Sequence, residues 1–247
     1  MPQASDYQPA WLLHARPYLE TSALAWLLTL EEGRVNAVVR GVRTKKSRYR
    51  ALLQPFTPLL IRVEGRQELK KLAGLEATAA PHWLQGEALI CGLYANELLS
   101  RLLLTGQACP ALFRDYSLLL QLVSIPEQRE PALRRFELSL LEHLGYPLVF
   151  TDTQGQPLIA QNLYRWLPEQ GFLAIQGLAE PSVQVYSGAN LLAMADDDWQ
   201  LKLTCQTAKA LTRQLLAPLL GSKPLHSRQL FLQMKKTISN NLRLNKT

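Results

Sequence analysis

The 247 residues carry 47% hydrophobic and 19% charged side chains, which fits one large folded domain or two modest ones and excludes a disordered chain. Met1 to Ala10 holds Asp6 and several polar residues where a secreted chain would place a basic stretch and an apolar core, and Ala88 to Leu104, the most apolar run, is interrupted by Asn96, Glu97 and Arg101, so neither a signal peptide nor a membrane span is expected. The net charge of +7 is concentrated: Arg34 to Arg50 holds seven basic residues and no acid, leaving 20 of each sign elsewhere, an arrangement suited to a polyanion or to a solvated loop.

The first third of the chain predicts β structure. Trp11 to Leu13, Ala23 to Leu30 and Arg34 to Val42 are short runs rich in Trp, Leu and Val, and Glu32-Gly33 divides the second from the third as a hairpin turn would. Val35, Ala37 and Val39 alternate with Asn36, Val38 and Arg40, the period of a strand. Leu59, Ile61 and Val63 alternate in the same way, with Pro55 and Pro58 marking a strand start or sheet edge. A fifth run spans Glu68 to Leu75. Five short strands with a basic loop between the third and fourth suit an OB-type barrel over residues 1–80, although small SH3-like barrels share that strand count.

After Pro81 the period becomes helical, and residues 81–247 are expected to form a mainly helical domain, making the chain α+β in two parts. Leu89, Leu93, Leu99 and Leu103 mark a first helix with Asn96 as its one polar position. A second is expected from Pro110 to about Val123. A third is expected from Glu130 to Leu144, striped by Leu133, Phe136, Leu140 and Leu144 and stopped by Gly145. Residues 146–190 look irregular. Helices resume near Leu191, over Leu201 to Leu216 and over Ser227 to Lys235. Nine basic residues and no acid follow Trp199.

The chain carries candidate binding groups and no recognisable reaction centre. There is no phosphate-binding G-x-x-x-x-G-K-[ST] loop, no G-x-S-x-G elbow and no H-E-x-x-H pair. Cys91, Cys109 and Cys205 are far apart, form no C-x-x-C pair and lack histidines at ligand spacing; reduced thiols of a cytoplasmic protein are expected, with no metal and no cofactor. Asp196 to Asp198 invites a metal, but Asp198 capping a helix that begins near Trp199 is the favoured reading. The loop R-T-K-K-S-R-Y-R (Arg43 to Arg50) interleaves cations with hydroxyls and Tyr49, which either stacks on an unpaired base or packs back on the barrel.

Several blocks resemble the RecO family of bacterial recombination mediators: A-R-P-Y-L-E-T-S (Ala15 to Ser22), G-R-V-N-A-V-V-R-G-V-R (Gly33 to Arg43) and Q-P-F-T-P-L-L (Gln54 to Leu60) in the first part. G-L-Y-A-N-E-L-L-S-R (Gly92 to Arg101), E-P-A-L-R-R-F-E-L (Glu130 to Leu138) with H-L-G-Y (His143 to Tyr146), and G-S-K-P-L-H-S-R-Q-L-F (Gly221 to Phe231) follow in order. The resemblance implies an OB fold before a helical domain, and a non-enzymatic repair protein of the cytoplasm and nucleoid. It implies binding of single- and double-stranded DNA and annealing of complementary strands. It further implies contact with the acidic, Phe-ended tail of single-stranded-DNA-binding protein, cooperation with RecR and loading of RecA. The four-cysteine zinc module of some members has no counterpart between Cys109 and Cys205. Expected DNA contacts are Arg34, Arg40, Arg43, Lys45, Lys46, Arg48, Tyr49 and Arg50. For the partner tail the expected groups are Arg134 first and Arg135 second, beside Leu133 and Phe136; the alternative for Arg134 is an i,i+4 surface pair with Glu130. Two other classes stay open: an OB-fold adaptor for structured RNA, and a metal-dependent nuclease using Asp196 to Asp198.

Overall fold

The computed structural model describes residues 7–175 and 183–244; the first six residues, including Asp6, lie outside it, as do residues 176–182 and 245–247. Five strands, β1 (Gln8–Tyr18), β2 (Ser22–Thr29), β3 (Gly33–Val39), β4 (Pro58–Glu64) and β5 (Leu69–Ala77), close into a barrel in the order β1-β2-β3-β5-β4. All pairings are antiparallel except β3 with β5, where Asn36, Ala37 and Val38 run parallel to Leu69, Lys70 and Lys71. The alternation of β3 is realised, with Val35, Ala37 and Val39 buried and Arg34, Asn36 and Val38 facing outward. Ala10, Ala23, Ala25 and Ala37 contribute small side chains to a core filled by Leu12, Leu27, Leu59, Ile61 and Leu75.

β1 carries an irregularity that divides it into two halves. Its register against β2 shifts between Leu12 and His14, so Leu13 is an extra residue. Leu12 and Ala15 both pack on the barrel core, leaving Leu13 and His14 to project the other way. Before the bulge the outer face is covered: Trp11 donates its indole N–H to Ser117 Oγ at 2.9 Å, and Leu13 is buried. Beyond it, His14, Arg16 and Tyr18 are exposed.

Helices α1 (Gly86–Leu102), α2 (Pro110–Leu122) and α3 (Pro126–His143) follow. The buried face of α1 keeps only the later part of the leucine stripe expected from the sequence, Leu99 and Leu103. Leu89 is exposed and Leu93 half-buried, while Ala88, Gly92, Ala95, Asn96, Leu98 and Leu99 are buried. A Cβ on Gly92 would stand 2.7 Å from Leu84 and 2.9 Å from the Phe56 ring, so the small residue is what permits this approach. Asn96 is buried and donates to the Leu13 carbonyl at 3.1 Å, while its Oδ1 accepts the Tyr116 hydroxyl at 2.5 Å. α3 starts four residues before the expected Glu130, with Pro126 at the first position, where a missing amide costs no helical hydrogen bond; Pro131 lies inside the helix. It ends as expected at Gly145, which takes φ +87° while the Tyr146 and Gly145 amides return to the carbonyls of Leu141 and Glu142.

The segment expected to be irregular contains a small sheet, ordered β7-β6-β8, from β6 (Leu163–Leu167), β7 (Gly171–Ala174) and β8 (Tyr186–Ser187). It shares a core with α4 (Gly188–Ala195) and α5 (Lys202–Leu220) through Tyr164, Phe172, Tyr186, Leu191, Trp199 and Leu211. α6 (His226–Leu244) ends the described chain and packs on α1. By contacts the chain forms two compact units: residues up to Arg129 together with those from Ser222, and Glu130–Gly221. The switch from strand to helix after Pro81 therefore does not coincide with the boundary in packing. No helix among the described residues is long and apolar enough to cross a membrane.

Candidate nucleic-acid interface

The seven cations between Arg34 and Arg50 do not form one set. Arg34 points outward from β3, but there it meets the end of α1, and its Nη1 donates to the Ser100 carbonyl at 2.6 Å. The Gly106 amide returns a hydrogen bond to the Arg34 carbonyl at 3.0 Å. Burial lowers the Arg34 pKa, opposed by the nearby Glu68 carboxylate. Arg34 thus satisfies one of the carbonyls that a helix end leaves open, and stands apart from the others.

The remaining six gather on the β3–β4 connection. Arg40, Arg43, Lys45, Lys46, Arg48 and Arg50 are all exposed. The loop is a succession of tight turns, with amide-to-carbonyl bonds from Thr44 to Gly41, Ser47 to Thr44, Arg50 to Ser47 and Leu53 to Tyr49. Its root is fastened to the β1–β2 turn: the Arg43 amide donates to Thr21 at 2.9 Å and its Nη1 to the Leu19 carbonyl at 3.2 Å. Tyr49 is half-buried and packs against the barrel core. Its hydroxyl accepts Arg48 Nη2 at 2.9 Å, and the Arg48 guanidinium lies 4.9 Å from the ring centroid. Of the two alternatives for Tyr49, the structure has it packed back on the barrel.

Charge pairing separates this loop from the neighbouring sheet. Arg62 and Lys71 both pair with Glu64, at 2.6 and 3.7 Å, and Lys70 pairs with Glu32. None of the six loop cations has an acidic partner within 4 Å among the described residues. Positive charge held in a tight loop without internal neutralisation is what a phosphate chain would meet first.

The groups expected for a partner tail are arranged differently from the sequence reading. Arg134 is 3% exposed and pairs at 2.9 Å with Glu137, itself 2% exposed. Glu130 is 3.9 Å from Arg134, so the i,i+4 surface pair is not the main contact either. Leu133 and Phe136 are buried core residues. Arg135 is the accessible one: it makes a bidentate pair with Asp197 at 2.7 and 3.0 Å and lies 5.8 Å from the Trp199 ring centroid.

Asp197 explains the acidic triplet. Its carboxyl is held below the usual range by the Arg135 hydrogen bond, against the opposing effect of burial, with further help from Trp199. Asp198 does not cap α5, which begins later at Lys202; it accepts the Gln200 amide at 3.0 Å in a local turn. No group of three or more His, Cys, Asp or Glu among the described residues is placed to hold a metal ion. Cys91, Cys109 and Cys205 form no disulfide, and Cys109 and Cys205 are buried.

Two blocks far apart in sequence also prove to be one assembly. Glu97 accepts the amides of His226 and Ser227 at 2.9 and 3.0 Å and the Ser227 hydroxyl at 2.8 Å, capping α6. Burial would raise the Glu97 pKa, but these hydrogen bonds from Ser227 and His226 hold it below the usual range. Arg101, one turn further along α1, donates to the Lys223 carbonyl at 2.9 Å.

A five-stranded barrel closed by one parallel pair between its third and fifth strands, then helices, defines an OB-fold protein with a helical extension. Residues 6–81 match the family model described as recombination protein O N terminal, and residues 84–229 match recombination protein O C terminal. The DNA repair protein RecO of Stutzerimonas stutzeri is 45% identical over 237 residues, 96% of this chain and 98% of that one. Those of Pseudomonas paraeruginosa and Pseudoalteromonas atlantica are 45% and 44% identical, each covering 93% of this chain and 96% and 95% of their own. The chain belongs to the RecO family of DNA repair proteins.

Proposed function

We propose that this protein is a non-enzymatic recombination mediator of the cytoplasm, which binds single- and double-stranded DNA through the β3–β4 loop and anneals complementary strands. It engages the tail of single-stranded-DNA-binding protein through Glu130–Gly221 and works with RecR to load RecA. The observation that carries this reading is the pairing contrast: Arg62, Lys70 and Lys71 of β4 and β5 are neutralised by Glu64 and Glu32, and the loop cations are not. Arg40, Arg43, Lys45, Lys46, Arg48 and Arg50 are the phosphate contacts.

With four to six of these cations on phosphates, log K for single strands should fall against log[salt] with a slope of roughly −3 to −4, at about −0.7 per contact. Changing Lys45, Lys46, Arg48 and Arg50 together to Ala should flatten the slope by about 2 or more. An unchanged slope would move the DNA site off this loop. Annealing should proceed in EDTA and without ATP; dependence on either would overturn the non-enzymatic reading. Tighter binding of a structured RNA than of DNA in competition would favour an RNA adaptor instead.

For the tail, the cation on offer is Arg135. A terminal carboxylate would share or replace its bond to Asp197, a charge-assisted contact beside the Trp199 ring. Arg135→Ala should weaken a tail peptide by about 1–3 kcal/mol in fluorescence anisotropy and reduce annealing of coated strands more than of bare ones. Peptide binding as tight as the parent's would place the pocket on other residues.

A further inference from the structure

Beyond the bulge in β1 the outer face of the barrel carries aromatic side chains that the phosphate-binding loop does not use. His14 stands directly opposite Trp26 across the β1–β2 ladder, and Arg16 stands opposite Leu24. The imidazole and indole planes are stacked, 4.7 Å between centroids and 19° apart. The Arg16 guanidinium lies 5.6 Å from the Trp26 centroid. Tyr18, two residues further on, is 38% exposed. Outward positions of a barrel strand ordinarily favour polar side chains, yet here a tryptophan and its neighbours form a planar, partly apolar surface.

His14 is exposed although Trp26 covers one of its faces. Arg16 has no acidic partner within 4 Å among the described residues. Burial and the Arg16 charge lower the His14 pKa, which favours a neutral ring near pH 7. Next in the row is Asn36, opposite Trp26, whose Oδ1 is buried without a hydrogen-bond partner. Arg43 joins this region to the basic loop, because its bonds to Leu19 and Thr21 lie at the turn between these same two strands.

We propose that His14 and Trp26, with Arg16 at their edge, form a stacking platform for an unpaired DNA base whose neighbouring phosphates lie on the β3–β4 loop. The inference rests on the DNA-binding reading above and adds to it the element that distinguishes an open strand from a duplex. Loop cations take either form of DNA, since both present phosphates. A platform for a base face takes only the strand whose bases are free, and it does so without regard to sequence, because every base has such a face. That combination suits a protein that must hold single strands of any sequence until their complements arrive.

The test compares an oligothymidylate with an abasic oligonucleotide of equal length and phosphate count, using the full chain and fluorescence anisotropy at fixed salt. The parent should prefer the thymidylate by roughly five- to hundredfold, the range for stacking one base on an aromatic group. His14→Ala, a change at an exposed position, should remove most of that preference while altering the salt slope by less than about one phosphate contact. His14→Phe should restore the preference, because it returns a ring without a charge. A preference unchanged in His14→Ala, or absent from the parent, overturns the platform while the phosphate contacts stand. Failure of the parent to bind either oligonucleotide overturns the DNA-binding reading itself, and the platform with it.

Discussion

Arg134→Ala is expected to destabilise the unit Glu130–Gly221 by about 3–5 kcal/mol, the cost of stranding one member of a buried ion pair. The guanidinium is 3% exposed and its partner Glu137 2% exposed, 2.9 Å apart. The Glu137 carboxylate also accepts the buried Thr212 hydroxyl at 2.5 Å, which ties α3 to α5. Without Arg134, a carboxylate remains in the interior with its counter-charge gone. Urea unfolding measures the loss. The double change Arg134→Met with Glu137→Leu should recover most of it, since replacing both partners by apolar groups is often near neutral. A single-variant cost below about 1 kcal/mol would mean that the pair is solvated. The consequence for binding assays is direct: a peptide that no longer binds Arg134→Ala reports a disturbed unit, and Arg135→Ala is the informative variant.

Asn96→Ala should cost about 2–4 kcal/mol, because it removes the partner of two buried groups at about 1–3 kcal/mol each. These are the Leu13 carbonyl at the bulge and the Tyr116 hydroxyl. Burial raises the pKa of that hydroxyl far above its ordinary value, so the stability it supports falls once pH rises into the range where the tyrosine of the unfolded chain ionises. Tyr116→Phe should cost less, since it strands only one bond of Asn96. A double-mutant cycle of the two changes should show clear coupling, as contacting groups do. A cost for Asn96→Ala near that of an ordinary surface change, about 0.5 kcal/mol, would remove Asn96 from the support of β1.

The barrel was legible because its strands alternate: Val35, Ala37 and Val39 declare an inner face whatever surrounds them. α1 was less so. A search for apolar stripes is weighted toward leucine, whereas this helix approaches its neighbours through Ala88, Gly92 and Ala95, and treats Asn96 as part of the buried face. β6, β7 and β8 are short and their pairing is non-local, which leaves no periodic trace. Charge clustering located the basic loop, but the same count included Arg34, because clustering says nothing about a helix end waiting beside one strand. Arg134 and Arg135 are neighbours in sequence and opposite in environment; the hint lay in Glu137, three residues on, within reach of Arg134 on a helix. His14 and Trp26 meet only because an extra residue in β1 sets the register, and no pattern in either strand alone reveals that.

The capping of α6 by Glu97 has a consequence in time. The carboxylate and the amide it accepts are separated by 129 residues of chain. At about 5–20 residues per second of synthesis, a nascent chain waits on the order of ten seconds between making the two. The five barrel strands and the basic loop leave the ribosome early in that schedule, and the whole of Glu130–Gly221 is made before the helix that completes the first unit. For that interval α1 shows the surface that α6 will cover, and Glu97 sits with water in place of its amides. The newborn protein therefore passes through a stage in which its barrel and basic loop are built and its closing helix is not.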